Sequence, residues 1–240
     1  MNPLINRSGA LVLGAALFFG LAGLGYQLGS AAVQVKAFER SVTVKGLSEH
    51  EYPADIVIWP VQFTVADNDL AGLYAQIEDG TGKVRAFLAL NGIDPAEISV
   101  SAPEITDKSA QRYGDAGQAP FRFTATQTVT VYSPQIDPVR AAMGNLGELG
   151  KQGIALGGGD FQAAPEYLFT RLNAVKPQMI EEATRQAREV AEKFAADSQS
   201  SLGKIRKASQ GQFSIEPRDT NNPHIKRVRV VSTVEYYLSD

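Results

Sequence analysis

His50 and His224 are the only histidines in 240 residues, and cysteine is absent. A zinc centre takes three or four ligands, usually from these residue types. His50 stands between Glu49 and Glu51, which is a ligand-like composition. Side chains adjacent in sequence rarely converge on one ion, so the stretch "SEHEY" reads as a solvated polar turn. His224 falls in a second polar turn, "NNPHIK". The lack of cysteine removes disulfides, thiolate nucleophiles and cysteine metal sites together. No G-x-S-x-G elbow is present, and two turn histidines support no Ser-His-Asp arrangement. Asp55 and the pairs Glu49/Glu51 and Glu181/Glu182 are candidate acid–base carboxylates. Glu181 and Glu182 fit better as complements to the positive start of a helix. "GTGK" at 80–83 imitates a phosphate loop, but that motif needs glycine at Ile77 and Ser or Thr at Val84. The residues therefore predict no catalytic group, no metal and no cofactor, and a protein that is not an enzyme.

Charge offers a different kind of site. The formal net charge is -3, which gives no reason to expect nucleic acid as a partner. The two expected closing strands nevertheless carry six cations: Lys204, Arg206, Lys207, Lys226, Arg227 and Arg229. If their strands pair, they form a basic stripe suited to lipid headgroups or an acidic neighbouring subunit. Ordinary outward positions on a strand pair would give the same pattern.

The elements that must position these residues begin with a membrane-type segment. No charged residue occurs from Ser8 to Val35. The apolar run includes Ala10, Leu11, Val12, Leu13, Leu17, Phe18, Phe19, Leu21, Leu24 and Tyr26. About 20 helical residues cross a hydrocarbon layer of about 30 Å, whereas the apolar core of a cleaved signal has about 7 to 15. Residues 1–7 thus form a short tail, 8–35 a transmembrane anchor or uncleaved signal, and 40–240 an exported domain. The small residues Ser30, Ala31 and Ala32 also suit a cleavage site, which leaves a soluble periplasmic form as the alternative. Arg7 precedes the helix while Lys36 and Arg40 follow it, so the Lys/Arg bias does not choose a side. The spacings Ala10/Gly14, Ala16/Gly20 and Gly25/Gly29 would let two helix backbones approach closely in lipid.

Beyond the anchor, 44% apolar and 20% charged residues indicate a folded domain. Arg40–Lys45 reads as a strand, followed by a polar turn through "GLSEHEYPAD". In "DIVIWPVQFTV", Val57, Trp59, Val61, Phe63 and Val65 share one parity and predict a strand with one apolar face. Pro60 points to an edge or a bulge. A helix follows through Leu70, Leu73, Tyr74, Ile77, Val84, Phe87 and Leu88, capped by Asp67 or Asp69 and ended at Asn91-Gly92. Residues 96–105 and 121–132 read as strands, the second with Thr124, Thr126, Thr128 and Thr130 outward. A short helix is expected over Asp137–Leu149, then extended chain with a glycine turn. A second long helix is expected over Lys176–Ser200. Pro177 lies in its first turn, Met179, Ala183, Ala187, Val190 and Phe194 form its apolar stripe, and Gly203 ends it. Two closing strands follow, with Val228, Val230, Val234, Tyr236 and Leu238 on one face. The fold class is α+β: a largely antiparallel sheet with two long helices packed on it, preceded by one N-terminal transmembrane helix.

The stretches "VTVKGLSEHEYPADIVIWPVQFTV" (42–65), "YLFTRLNAVKPQMIEEATRQAREVAEKFA" (167–195), "LGKIRKASQG" (202–211) and "VRVVSTVEYYL" (228–238) resemble, in this order, the SIMPL-domain family. Its bacterial members include periplasmic immunogenic proteins and a proposed oxidative-stress-defence protein. The resemblance implies an exported or envelope-facing α+β protein that assembles into ring-like homo-oligomers, and it implies no catalytic residue. The expected partners are further copies of the chain and, through the N-terminal helix, membrane lipid. The expected role is a non-catalytic envelope scaffold in envelope or oxidative stress tolerance. Small-ligand binding after signal cleavage is one alternative, and a detoxifying enzyme is another. The expected address is the bacterial inner membrane, single-pass, with the main domain in the periplasm. The anchor-like N-terminus departs from the cleaved signals of the periplasmic members.

Overall fold

The computed structural model describes residues 7–38, 40–110, 120–157 and 164–239, with side chains over 11–31 in the first stretch. The tail at 1–6, the side chains of Ala10 and Ala32, most of the polar loop at 108–120 and the glycine turn at 158–163 lie outside the described residues. The chain divides into two compact units, neither of them contiguous: Met1–Ser48 with Pro177–Phe213 and Arg229–Asp240, and Glu49–Lys176 with Ser214–Val228.

The first unit begins with helix α1, Arg7–Phe38. Strands β1 (Ser41–Pro53), β7 (Ser201–Gln210) and β9 (Ile225–Ser239) form a sheet in the order β1-β9-β7, and β8 (Ser214–Pro217), which belongs to the second unit, also pairs with β9. Strand β1 continues through the expected polar turn to Pro53, so His50 lies on a strand. Its alternation persists, with Val44, Gly46 and Ser48 inward and Thr43, Lys45, Leu47 and Glu49 outward. The polar composition looked like a turn because only three small or short residues mark the buried face.

Helix α5 (Leu172–Asp197) covers this sheet, and Met179, Ala183, Ala187, Ala191 and Ala195 are its buried residues. Steps of four keep these residues on one stripe, and alanine lets the helix backbone come close. Gly46 completes the approach. A Cβ there would overlap the Ala183 carbonyl oxygen and stand 2.5 Å from the Ala187 nitrogen. The expected stripe through Val190 and Phe194 is corrected, since Phe194 is 55% exposed. The helix starts four residues earlier than expected, which puts Pro177 inside it. It ends at Asp197, before Gly203, and Gln199 lies in the turn that follows. Gln199 adopts φ 53, the Ser200 N–H donates to the Ala195 carbonyl at 2.8 Å, and the Gln199 N–H donates to Ala196 at 3.0 Å. This is a helix stop with a left-handed residue, a place that glycine usually takes. Gly203 instead sits in β7, where a Cβ would lie 3.0 Å from the Tyr237 carbonyl oxygen.

The second unit holds a five-stranded sheet in the order β3-β5-β2-β6, with β4 also on β5. The strands are β2 (Ile56–Asp67), β3 (Ile98–Val100), β4 (Glu104–Asp107), β5 (Phe123–Ser133) and β6 (Glu166–Leu168). The pairings within it are antiparallel. Residues 96–105 are therefore two short strands after a 3-10 turn capped by Asp94, and Pro103 separates them. Pro60 occupies the edge position expected of it. Strand β6 covers only Ile56–Ile58 of β2, and the next bridge on β2 is Phe63 to Leu156.

Helix α2 (Leu70–Leu90) packs on β2 and β5, and Asp69 caps it by accepting from the Gly72 N–H at 2.9 Å. Gly80 has a specific role inside it: a Cβ there would meet Cε2 of Phe63 at 2.6 Å. The expected helix over Asp137–Leu149 is two pieces, α3 (Ile136–Gly144) and α4 (Gly147–Lys151). Val57, Trp59, Val61 and Phe63 meet Val84, Leu88, Val129, Val139 and Leu149 in the main core. Gln127 is an unexpected polar member of the inward face. Its amide donates to the Ser101 carbonyl at 2.8 Å and so satisfies a group that burial would otherwise penalise.

Candidate functional site

Three regions carry the residues that sequence singled out. The first is α1. Its segment Leu11–Ala31 is 21 residues long and none of it is buried. At 1.5 Å per residue it measures about 32 Å, enough to cross a bilayer core. Leu11, Val12, Leu13, Leu17, Phe18, Phe19, Leu21, Leu24 and Tyr26 are all exposed. Exposure of so many large apolar side chains is costly in water and favourable in lipid. Gly14, Gly20, Gly25 and Gly29 have open space around them. The Ala16/Gly20 pair lies in a surface groove, lined with Leu13, Leu17, Leu21 and Leu24.

The second region is the cationic group, which the structure divides. Strand β7 pairs with Ser232–Ser239 of β9, so Lys204, Arg206 and Lys207 do not lie opposite Lys226, Arg227 and Arg229. The single expected stripe is not formed, because β9 is long enough to pair with β7 and β8 at different places. Arg206 donates to Glu235 at 3.0 Å and to the Ser41 hydroxyl at 3.4 Å. The Ser41 hydroxyl in turn donates to Glu235 at 2.6 Å. The Leu238 N–H donates to the Arg40 carbonyl at 2.9 Å. Lys226 is only 8% exposed, on the parity opposite to Arg227 and Arg229. Burial lowers its pKa, and Glu166 partly offsets the shift. Arg227 reaches Glu216 at 3.5 Å.

The third region is in the second unit, around His224. A cleft of about 360 Å³ is lined by Pro53, Ala54, Pro134, Ile136, Pro138 and His224, among others. The main-chain carbonyl of His224 accepts from the Ala54 N–H at 2.8 Å. Its ring is 6.0 Å from that of Tyr167, and its Nδ1 is buried without a hydrogen-bond partner among the described residues. Burial, then Arg140 and Arg218, push the imidazole pKa down. Both arginines are themselves matched, Arg140 by Asp137 at 3.9 Å and Arg218 by Asp219 at 2.8 Å and Glu51 at 3.6 Å. The cleft thus offers proline walls, an imidazole and the polar residues Gln135 and Asp137, and no Ser or Thr hydroxyl lines it. His50 does not join it; its ring is 6.2 Å from Tyr52 on β1. Among the described residues, no three His, Asp or Glu side chains are grouped for a metal ion.

The remaining carboxylates take structural positions. Glu182 sits in the third turn of α5, not at its start, and accepts from the buried Ser48 hydroxyl at 2.7 Å. Asp55 is a latch. It accepts from the Thr170 N–H at 2.9 Å, the Arg171 N–H at 3.2 Å and Arg171 Nε at 3.1 Å. Tyr52 and Phe169 stack beside it with centroids 5.3 Å apart. Burial alone would raise the Asp55 pKa, but these hydrogen bonds outweigh it and hold the carboxylate below its ordinary value. Its contribution to stability is therefore complete above the unfolded pKa of about 4 and is lost as pH falls through the lower folded value. Asp55→Ala is expected to cost about 2 kcal/mol at neutral pH. Urea midpoints for both proteins should converge as the pH falls below about 4; an equal gap throughout would contradict the latch.

An exposed apolar helix followed by an antiparallel α+β body has the plan of an envelope-associated protein. The chain belongs to the SIMPL family, described as "Protein of unknown function (DUF541)", whose model matches residues 42–234. That range takes in the nine strands among the described residues except the first residue of β1 and the end of β9. No curated protein matches the chain.

Proposed function

We propose that the chain is a membrane-tethered, non-catalytic scaffold of the bacterial envelope. One α1 helix anchors each subunit in the inner membrane, and the folded part faces the periplasm as a closed homo-oligomer. The observation that carries this reading is the wholly exposed apolar helix joined to a folded sheet with almost no intervening chain. Strands β1 and β7, at the two ends of their sheet order, add support, because association is one way to cover strand edges. A role in envelope or oxidative stress tolerance rests on the family resemblance alone.

Native mass spectrometry of the gently extracted complex, followed by denaturation, tests the proposal. Full-length subunits in one discrete multiple are the expected result. A monomer at micromolar concentration would remove the scaffold. A subunit shortened after Ala32 would favour a second reading, a soluble periplasmic protein that binds a small ligand; the His224 cleft supports it. Peroxide tolerance of a deletion strain, with and without the restored chain, tests the stress role; equal tolerance would end it.

A further inference from the structure

We propose that the end of the first unit where the chain leaves α1 docks on anionic phospholipid headgroups, with β7 as its cationic element. The inference rests on α1 being a retained anchor. Chain length then sets the position. The apolar segment ends at Ala31 and α1 continues to Phe38, which adds about 10 Å of helix. Strand β1 begins at Ser41, no more than about 10 Å of chain further on. Ser41 therefore lies within about 20 Å of the hydrocarbon edge. The headgroup layer takes up about 5–7 Å of that distance, and the ionic atmosphere beyond it decays over about 8 Å.

Strand β7 is fixed to this point of entry. Arg40 donates to Ser200 at 3.3 Å, and Arg206 reaches both Ser41 and Glu235. Ser201 pairs with Ser239 at the same end. From Ser201 to Gly211 the chain carries Lys204, Arg206 and Lys207 and no carboxylate, within a protein of net charge -3. Nearly every position of β7 is exposed. Glu235, the facing carboxylate, is hydrogen-bonded by Ser41 and Arg206 and also feels the charge of Lys207, its cross-strand partner, while Lys204 and Lys207 donate no hydrogen bond among the described residues. Ile205 is 50% exposed, and Tyr237 stands under the Arg206 guanidinium with 5.7 Å to its centroid. Cations mixed with an aromatic and an aliphatic side chain suit the headgroup layer.

The chain has no cysteine, so a fluorophore on Ser201→Cys reports this end alone. The labelled full-length protein is placed in phosphatidylcholine vesicles with or without phosphatidylglycerol, each carrying a headgroup quencher. Stronger quenching is expected in the anionic vesicles and should disappear in molar salt. Each lysine near such a surface is worth about a fivefold factor, so Lys204→Gln with Lys207→Gln should lower the docked-to-undocked ratio about 25-fold. That double variant leaves the Arg206–Glu235 pair intact, and circular dichroism should show an unchanged fold. Retained protein with equal quenching in both vesicles would overturn docking alone. Protein stripped from both by an alkaline wash would overturn the anchor, and the docking with it.

Discussion

Gly46→Ala is expected to lose about 3 kcal/mol of stability or more, the upper end for overpacking. The added methyl would fall on the Ala183 carbonyl and the Ala187 nitrogen, both atoms of helix backbone. A side chain in its place could rotate away, but the backbone of α5 can yield only by lifting off β1. Lifting would separate the cluster of Val44, Ala187, Ala191, Val234 and Tyr236. Gly82→Ala is the matched control. Nothing lies within 4 Å of that position, and alanine in a helix is favoured over glycine by about 1 kcal/mol. Urea midpoints of the full chain in detergent should move in opposite directions. A shift below about 1 kcal/mol at Gly46 would mean that the close approach is not rigid.

The second large effect concerns Phe63 and Gly80. Phe63 is fully buried at the centre of the larger core, so Phe63→Ala should cost about 3–5 kcal/mol. Gly80→Ala should cost about 1–3 kcal/mol, because its methyl meets the ring edge at 2.6 Å. Phe63→Leu shortens the side chain and gives that methyl room. The combined variant should then be more stable than the sum of the two single losses predicts, by about 1 kcal/mol. Additivity within about 0.5 kcal/mol would show that the glycine is not there for the ring.

These two glycines mark what the sequence made legible and what it hid. Alternation in "DIVIWPVQFTV" identified β2 and its buried face, because a strand inside an antiparallel sheet needs one apolar side. The long apolar run gave α1 for an equally local reason. Gly80 looked like a weakness in α2, since the ring that requires it lies on another element. Pro177 and the alanine stripe of α5 were visible, but the stripe was extended through Val190 and Phe194 because hydrophobicity does not reveal which turn the sheet touches. Strand β1 was cut short for the converse reason. Ser48 is buried only because Glu182, 134 residues away, accepts its hydroxyl. The basic stripe depended on a strand register, which periodicity cannot supply. His224 was read correctly as a turn residue, while the cleft beside it comes from three prolines brought together by the fold. The Asp55 latch has no local signal, since its partners follow 115 and 116 residues later.

The four-stranded sheet has a history written into its order. Its middle member, β9, follows all the other strands along the chain, and β1 and β7 both pair with it. A ribosome that has released residues up to 224 has thus produced two strands whose shared neighbour does not yet exist. Until the final stretch emerges, both present unsatisfied backbone groups, β7 briefly and β1 for most of translation. Pairing across such a separation is slow in any chain. Assembly here is accordingly a single late event that closes around the last strand, not a gradual accretion from the N-terminus.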